Sequence, residues 1–270
     1  MMSTTLQQFE GLGQIGLQDR GQGAPLILLH GVGMQSAAWA PQLDVLSRTH
    51  RVIALDLPGH GGSAPLAGVP GLPDYVAWLS DVVSAIGLGR VSLAGHSMGA
   101  LIATGFAVTR PDVVRRVALL NGTYRRGPAA RQAVIARAAQ IRAGHMDLET
   151  PLERWFGQDP STDHLRAQVR SWLAAVDPKG YGDAYAAFAE GDAVYADRLG
   201  QFPGPLLALT GADDPNSTPA MSRAMAQAAP QGRAVILEGA RHMANLTAPA
   251  AVNDALADWL AQSDEMRQRA

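Results

Sequence analysis

Hydrophobic residues occur along this chain in two alternating patterns. Short, nearly continuous apolar runs, typical of strands buried on both faces of a sheet, occupy residues 25–30, 51–55, 91–94, 114–120, 205–211 and 233–238. Segments whose apolar residues have helical spacing lie between them, at residues 36–46, 74–86, 100–107, 219–229 and 250–260. The first 19 residues indicate one or two edge strands. This alternation predicts an α/β fold with a mostly parallel, eight-stranded sheet and helices on both of its faces.

The alternation is interrupted over residues 123–201, where no comparable strand pattern occurs. This segment is rich in alanine, has helical periodicity and holds most of the tyrosines. We interpret it as a helical cap over a core formed by residues 1–122 and 202–270. Aromatic side chains in a cap can wall an apolar pocket, and Trp155 and Tyr181 are therefore the substrate-binding candidates in this segment.

A strand, a sharp turn and a helix meet at Gly95-His96-Ser97-Met98-Gly99. This Gly-x-Ser-x-Gly arrangement predicts a nucleophile elbow, in which a strained backbone projects the Ser97 hydroxyl from the edge of the sheet. Glycines on both sides let the strand and the helix approach each other closely. Two backbone N–H groups are candidates for an oxyanion hole: that of Met98, just after the serine, and that of Val32, in the loop after the first buried strand.

An activated serine needs a base, and the base needs an acid that orients it. In parallel sheets such groups lie beyond the carboxyl ends of the strands. Asp213 and Asp214 follow the strand that ends at residue 211, and His242 follows the last strand. The order serine, aspartate, histidine is the one that this kind of elbow uses. Ser97, His242 and one of the two aspartates therefore predict the catalytic triad of a serine hydrolase.

Three other histidines are expected to have structural roles. His30 and His60 lie in glycine-containing loops that they are expected to stabilise. His96, inside the elbow, is expected to be a packing residue.

Composition narrows the possible partners. Lys and Arg number 22 against 24 Asp and Glu, which gives no electrostatic case for binding nucleic acid or an anionic membrane. The chain has no cysteine, so disulfides and thiolate sites are excluded. No His, Asp and Glu residues have the spacing of metal ligands, and neither a metal nor another cofactor is expected. The first ten residues lack a signal-peptide pattern, and no apolar run is long enough for a membrane span. A cytoplasmic protein with a small-molecule substrate is expected, as either a monomer or a homo-oligomer.

Several motifs together resemble the α/β-hydrolase superfamily, and the resemblance covers nearly the whole chain. They are Leu28-Leu29-His30-Gly31, Asp56-Leu57-Pro58-Gly59-His60-Gly61-Gly62-Ser63, Gly95-His96-Ser97-Met98-Gly99, Gly211-Ala212-Asp213-Asp214-Pro215 and Gly239-Ala240-Arg241-His242. The resemblance implies the α/β-hydrolase fold. The family usually has its acid three residues after the glycine, which favours Asp214 over Asp213.

Further segments are similar to 3-oxoadipate enol-lactonase and related serine esterases and lactonases. They are residues 177–181, 191–192, 205–211 and 240–246. This similarity implies a hydrolase that cleaves a carboxylic ester or an enol-lactone of a small substrate through Ser97, His242, Asp214 and an acyl-enzyme. The alternative enzyme is a C–C bond hydrolase of aromatic meta-cleavage products. A hypothesis of a different kind is a non-catalytic binding protein on the same fold.

Overall fold

The computed structural model describes residues 4–262 and contains one eight-stranded sheet. The strands are β1 (Thr5–Phe9), β2 (Gly13–Arg20), β3 (Pro25–Leu29), β4 (Arg51–Leu55), β5 (Val91–His96), β6 (Val114–Leu120), β7 (Leu206–Gly211) and β8 (Gly232–Leu237). Their order across the sheet is β1-β2-β4-β3-β5-β6-β7-β8. Strands β1 and β2 form an antiparallel hairpin that joins β4, and every later pair is parallel. The expected α/β-hydrolase fold is confirmed.

Helices cover both faces of this sheet. They are α1 (Ala40–Leu46), α2 (Leu72–Ala85), α3 (Met98–Thr109), α4 (Pro128–Arg142), α5 (Glu149–Phe156), α6 (Asp163–Ala175), α7 (Pro178–Gly191), α8 (Pro219–Ala228), α9 (Ala244–Thr247) and α10 (Pro249–Leu260), with 3-10 turns at Ser36–Trp39, Pro160–Thr162 and Ala196–Gln201. None of the helices within residues 4–262 combines the length and the apolarity needed to cross a bilayer.

The core has two parts because successive strand residues point to opposite faces. In β3, Leu26 and Leu28 pack with the apolar residues of α1 and α10. Ile27 and Leu29, in the same strand, pack with α2 and α3. All four side chains are fully buried, which explains why the strand is a continuous apolar run in the sequence.

The segment between β6 and β7 is helical and contains α4, α5, α6 and α7. Helix α7 packs on α4 and also contacts α2 and α3, so it links the helical segment to the rest of the molecule. The helix begins with Pro178 at its first position, and the side chain of Asp177 accepts a hydrogen bond from the N–H of Gly180 at 2.6 Å. Both features favour a helix start at this point.

Candidate active site

Ser97 lies in the sharp turn between β5 and α3 and has a strained backbone, with φ of +53° and ψ of −111°. Such a conformation is rare for a residue other than glycine. Two close approaches hold it: a Cβ on Gly95 would collide with the carbonyl of Gly99, and a Cβ on Gly99 with the carbonyl of Leu29. The glycines of the motif therefore permit the contact between strand and helix that fixes the serine.

His242 and Asp214 form a buried pair at the same edge of the sheet. Nδ1 of His242 lies 2.8 Å from Oδ2 of Asp214, and the side chains are 4% and 0% exposed. A carboxylate only accepts hydrogen bonds, so Nδ1 carries the proton and Nε2 is left as the basic atom. His242 and Ser97 both line one cavity. The structure thus brings together the three residues that the sequence predicts for a triad.

The surroundings of Asp214 favour its charged form. Burial by itself would raise the pKa of this carboxyl, but the charge and hydrogen bond of His242, together with the amide of Asn121, lower it to about 2. The backbone N–H groups of Asn216 and Ser217 donate to Oδ1 at 2.8 and 3.1 Å. The neighbouring Asp213 is exposed, and its side chain makes no hydrogen bond or ion pair within residues 4–262.

Asn121 is a site residue that the sequence analysis missed. It directly follows β6, is fully buried and has a φ of +47°. Its Nδ2 donates to Oδ2 of Asp214 at 2.8 Å, the same oxygen that accepts from His242. The only signal in the sequence is a polar residue followed by glycine at the carboxyl end of a buried strand.

The loop after β3 carries Val32 and is held by two histidines. Nε2 of His60 accepts the N–H of Gly33 at 2.9 Å, and Nε2 of His30 accepts the N–H of Leu57 at 2.8 Å. Both rings must therefore be neutral, with the proton on Nδ1. Burial lowers the pKa of each ring. These contacts agree with the structural roles expected for His30 and His60.

The two backbone N–H groups predicted for the oxyanion hole come from different parts of the fold, that of Val32 from the loop after β3 and that of Met98 from the start of α3. Val32 lines the cavity, and Met98 is the first residue of α3, where a backbone N–H has no acceptor within the helix. Neither N–H donates to another group among the described residues. Both N–H groups are therefore without a protein acceptor in this range.

His96 makes a hydrogen bond in addition to the packing role expected from the sequence. Its Nε2 lies 2.8 Å from the carbonyl oxygen of His242, so Nε2 carries the proton and donates it. The ring centroids of the two histidines are 5.0 Å apart. Burial lowers the pKa of His96 to about 3, which keeps the ring neutral. His96 therefore connects the elbow to the loop that carries the predicted base.

The cavity over Ser97 has a volume of about 480 Å³, within the usual range for small-molecule sites. Trp155, from α5, lines it and stacks on His242 with ring centroids 5.9 Å apart. Tyr181 does not line it. Tyr181 is 2% exposed, and its ring packs behind the residues that line the cavity, against Gly33 and Tyr185. Tyr185 and Phe188, one and two helical turns further along α7, line the cavity instead.

Comparison with known proteins identifies the family. The profile of the alpha/beta hydrolase family matches residues 26–255. This chain belongs to the alpha/beta hydrolase family. The expected enzyme class is confirmed, since the relatives and the fold both indicate an alpha/beta hydrolase.

Relatives of this hydrolase differ in the substrates that their names give. The (E)-2-((N-methylformamido)methylene)succinate hydrolase of Acinetobacter baylyi is 52% identical over 242 residues, which cover 90% of this chain and 92% of the relative. A 2-hydroxy-6-oxo-2,4-heptadienoate hydrolase of Pseudomonas putida is 39% identical over 109 residues, or 39% and 40% of the two chains. The solved structure of an enol-lactonase from Burkholderia xenovorans LB400 is 26% identical, with a TM-score of 0.87 over 96% of this chain and 100% of that chain.

The cavity of this hydrolase is lined by three arginines, Arg126, Arg137 and Arg154, and by no aspartate or glutamate among residues 4–262. Arg126 is the most deeply buried, with a side chain 3% exposed. Its guanidinium lies 4.2 Å above the ring centroid of Phe188. These arginines could not be identified from the sequence, because their convergence depends on how the segment between β6 and β7 packs.

Possible metal ligands do not converge in the described part of the chain. No group of three or more His, Asp and Glu side chains within residues 4–262 is arranged to hold a metal ion.

Proposed function

We propose that this alpha/beta hydrolase uses Ser97 as its nucleophile, His242 as general base and Asp214 as the acid that orients the base. The observation that carries the proposal is the convergence of a strained serine and a buried His242–Asp214 pair on one cavity. Nε2 of His242 takes the proton of Ser97 as Oγ attacks a carbonyl carbon. The N–H groups of Val32 and Met98 stabilise the oxyanion that forms.

The second half of the reaction follows from the same geometry. His242 gives its proton to the leaving atom, the carbonyl bond to that atom breaks, and an acyl group remains on Ser97. Water then loses a proton to His242 and attacks the acyl carbon, which restores the serine. Asp214 stays ionised throughout and stabilises the imidazolium in each half.

For the substrate, we propose (E)-2-((N-methylformamido)methylene)succinate as the first candidate, because the Acinetobacter relative named for it is 52% identical over 90% of this chain. The formyl carbon of that compound is the carbonyl available to Ser97. Its nitrogen is conjugated through a C=C bond to a carboxylate, so the nitrogen leaves as a delocalised group. An enol-lactone has a related leaving group, an enol oxygen.

A small enol-lactone or ester is the second candidate, favoured by the resemblance of the chain's motifs to enol-lactonases and by the likeness to the Burkholderia enol-lactonase structure. A C–C bond hydrolase remains the alternative enzyme, and its support is a match over 39% of this chain. The buried hydrogen bond between His242 and Asp214 and the strained backbone of Ser97 argue against a non-catalytic binding protein.

The proposal is tested with purified enzyme on a panel of the formamide, an enol-lactone, 4-nitrophenyl esters and a dienone acid, with formate release measured for the formamide. We expect the highest kcat/KM on the formamide. Ser97→Ala should abolish turnover and also labelling by a fluorophosphonate probe, read by mass spectrometry. Substantial turnover by this variant would show that Ser97 is not the nucleophile.

The adjacent residues Asp213 and Asp214 provide a matched pair of variants that tests which carboxylate orients His242. Amidation of the orienting acid lowers kcat on the order of 10⁴-fold in serine proteases, and Asp214→Asn should cause a loss of similar size. Asp213→Asn, one residue away and exposed, should retain most of the activity. The reverse ranking would show that the wrong carboxylate is assigned.

A further inference from the structure

We infer that Arg126, Arg137 and Arg154, the cavity arginines, form a carboxylate-binding subsite that selects anionic substrates for Ser97. The inference rests on the proposed function, since it takes Ser97 as the reacting residue. It deepens that function by stating which side chains recognise the substrate and by which charge.

Arg126 is the inner member of the subsite. A guanidinium has five N–H donors, and at most three of them are engaged within residues 4–262: by the carbonyl of Phe188 at 3.2 Å, by Oγ1 of Thr123 at 3.1 Å and by Asp192 at 3.4 Å. The remaining donors have no acceptor within that range, and Arg126 lines the cavity. A ligand oxygen in the cavity would satisfy the remaining donors.

The charge around Arg126 is not balanced by its partner. Asp192 is fully buried and is shared with Arg131, whose Nη2 lies 3.1 Å from Oδ1 of Asp192. Two guanidinium groups therefore surround one carboxylate. The surplus positive charge is next to the cavity, because Arg126 lines it and Arg131 does not.

The other two arginines add to this surplus. Arg137 pairs with Asp147 at 3.4 Å, and the Asp147 side chain is 42% exposed, so solvent weakens the pair. Arg154 makes no ion pair with any residue of the described range. Since no acidic residue lines the cavity in that range, a ligand with one or two carboxylates supplies the missing negative charge.

Bidentate pairing with carboxylates is a property of arginine that lysine lacks, and all three cationic residues of the cavity wall are arginines. The Acinetobacter baylyi relative, 52% identical, is named for a succinate derivative, which has two carboxylates. The cavity wall therefore fits the chemistry of the first candidate substrate independently of the reacting bond.

The test uses succinate and its neutral analogue succinamide as probes, with binding to the Ser97→Ala variant measured by calorimetry. We expect succinate to bind more tightly than succinamide. Arg126→Gln and Arg154→Gln should each weaken succinate roughly 10- to 100-fold, the usual effect of losing a hydrogen bond to a charged group. Arg154 is exposed, so its variant should fold even if Arg126→Gln does not.

One control separates the subsite from general electrostatics. Arg170→Gln removes a charge from α6 outside the cavity. It should change succinate binding less than about 3-fold. Equal affinities for succinate and succinamide, or succinate binding that neither cavity variant weakens, would overturn the inference.

Failure of the proposed function gives a different result. If Ser97 is not labelled by the fluorophosphonate but succinate binds and depends on Arg126 and Arg154, the subsite stands and the serine mechanism fails. If Ser97 is labelled and neutral esters are hydrolysed, but succinate does not inhibit that hydrolysis more than succinamide does, the mechanism stands and the subsite fails.

Discussion

Ser97 and Asn121 have positive φ angles, of 53° and 47°, and each directly follows a central parallel strand. Left-handed backbone is unfavourable for residues with a Cβ, and it persists where surrounding contacts over-determine it. The N–H of Ser97 donates to the carbonyl of Leu120 at 2.9 Å, and that of Asn121 to Leu209 at 2.7 Å. Each strained residue is thus tied to the next strand of the sheet. The positive φ angles place the Ser97 side chain in the cavity wall and the Asn121 side chain against Asp214.

At the scale of single residues, the first prediction concerns Asn121 as a positioning residue. Its amide donates to Oδ2 of Asp214 and also lies 3.2 Å from Oγ1 of Thr210. Asn121→Gly keeps the backbone free to adopt positive φ but removes the amide. Losing a hydrogen bond to a charged group costs about 1.5–3 kcal/mol. We expect kcat to fall at least about 10-fold with little change in KM, and the pKa of Asp214 to rise, as measured by carbon NMR titration.

Asn121→Ala is the companion variant, because it removes the same amide and adds backbone strain. It should lose the same catalytic factor as Asn121→Gly but have a lower free energy of unfolding. A kcat and an Asp214 pKa that both stay at the wild-type values in Asn121→Gly would show that the amide has no positioning role.

Sequence patterns were informative for residues that sit at a fixed position relative to a strand. Ser97 was predictable because the turn needs glycines on both sides, and His242 and Asp214 because they follow strands whose carboxyl ends meet. Asn121 was not predictable, since its role depends on a contact with a residue 93 positions away. The same holds for Arg126, whose partner Asp192 directly follows α7.

At the scale of elements, helix α7 and the loop after β4 are in close contact through one glycine of each. The Cα atoms of Gly180, in its first turn, and Gly59, in the loop after β4, are so close that a Cβ on either would lie 2.5 Å from the other. The loop around Gly59 also contains His60, which accepts the N–H of Gly33. The position of α7 is therefore coupled to the loop that carries Val32.

The second prediction is that Gly180→Ala displaces α7 and lowers both stability and activity. Overpacking of this kind typically costs about 1–3 kcal/mol. We expect a lower midpoint of urea unfolding and a lower kcat/KM, because Tyr185 and Phe188 of the same helix line the cavity.

Gly182→Ala is the matched control two residues further along α7. A Cβ there would meet its nearest neighbour, Cγ of Arg142, at 3.4 Å, an ordinary contact. Alanine favours a helix over glycine by about 1 kcal/mol, so Gly182→Ala should be neutral or stabilising. If the two variants had equal stability, the close contact between Gly180 and Gly59 would have no energetic importance.

The central strands β3 to β7 were predictable as elements because they are buried on both faces and so appear as apolar runs. The helices between β6 and β7 were predictable in type but not in arrangement. Their apolar residues show helical spacing, yet which of them face the cavity depends on packing between helices. Trp155 lines the cavity, whereas Tyr181, only four residues before the cavity residue Tyr185, is turned into the space behind it.

At the scale of the whole molecule, the sheet separates two apolar regions and gathers the polar site residues at its carboxyl edge. The fold class follows from the sequence because strand and helix patterns alternate in order. The division into a core and a cap stays a prediction, as does the cytoplasmic location. The substrate could not be predicted from the pattern, because the arginines that line this cavity come from separate parts of one helical segment.

The site edge also concentrates buried neutral histidines, which leads to a third prediction, on acid stability. Burial lowers the pKa of His30, His60 and His96. Unfolded histidines take up protons near pH 6.5, whereas the lowered pKa of these three keeps them neutral to a lower pH in the folded state. The unfolded state therefore binds more protons below that pH, and stability falls as the pH decreases. Asp214, with a pKa lowered to about 2, adds a second loss below its ordinary range.

Urea unfolding measured between pH 7.5 and pH 4.5 should therefore show a decreasing free energy of unfolding, by on the order of 1 kcal/mol per pH unit for each histidine that stays neutral. His60→Gln should be less stable than the wild type at pH 7.5, because the bond to the N–H of Gly33 is disturbed. Its dependence on pH should nevertheless be shallower, since glutamine does not titrate. His145→Gln, at an exposed position, should retain the wild-type dependence. A free energy of unfolding that is constant across this range would mean that the buried histidines bind protons without loss of the fold, and that the bond from Gly33 to His60 does not hold the loop.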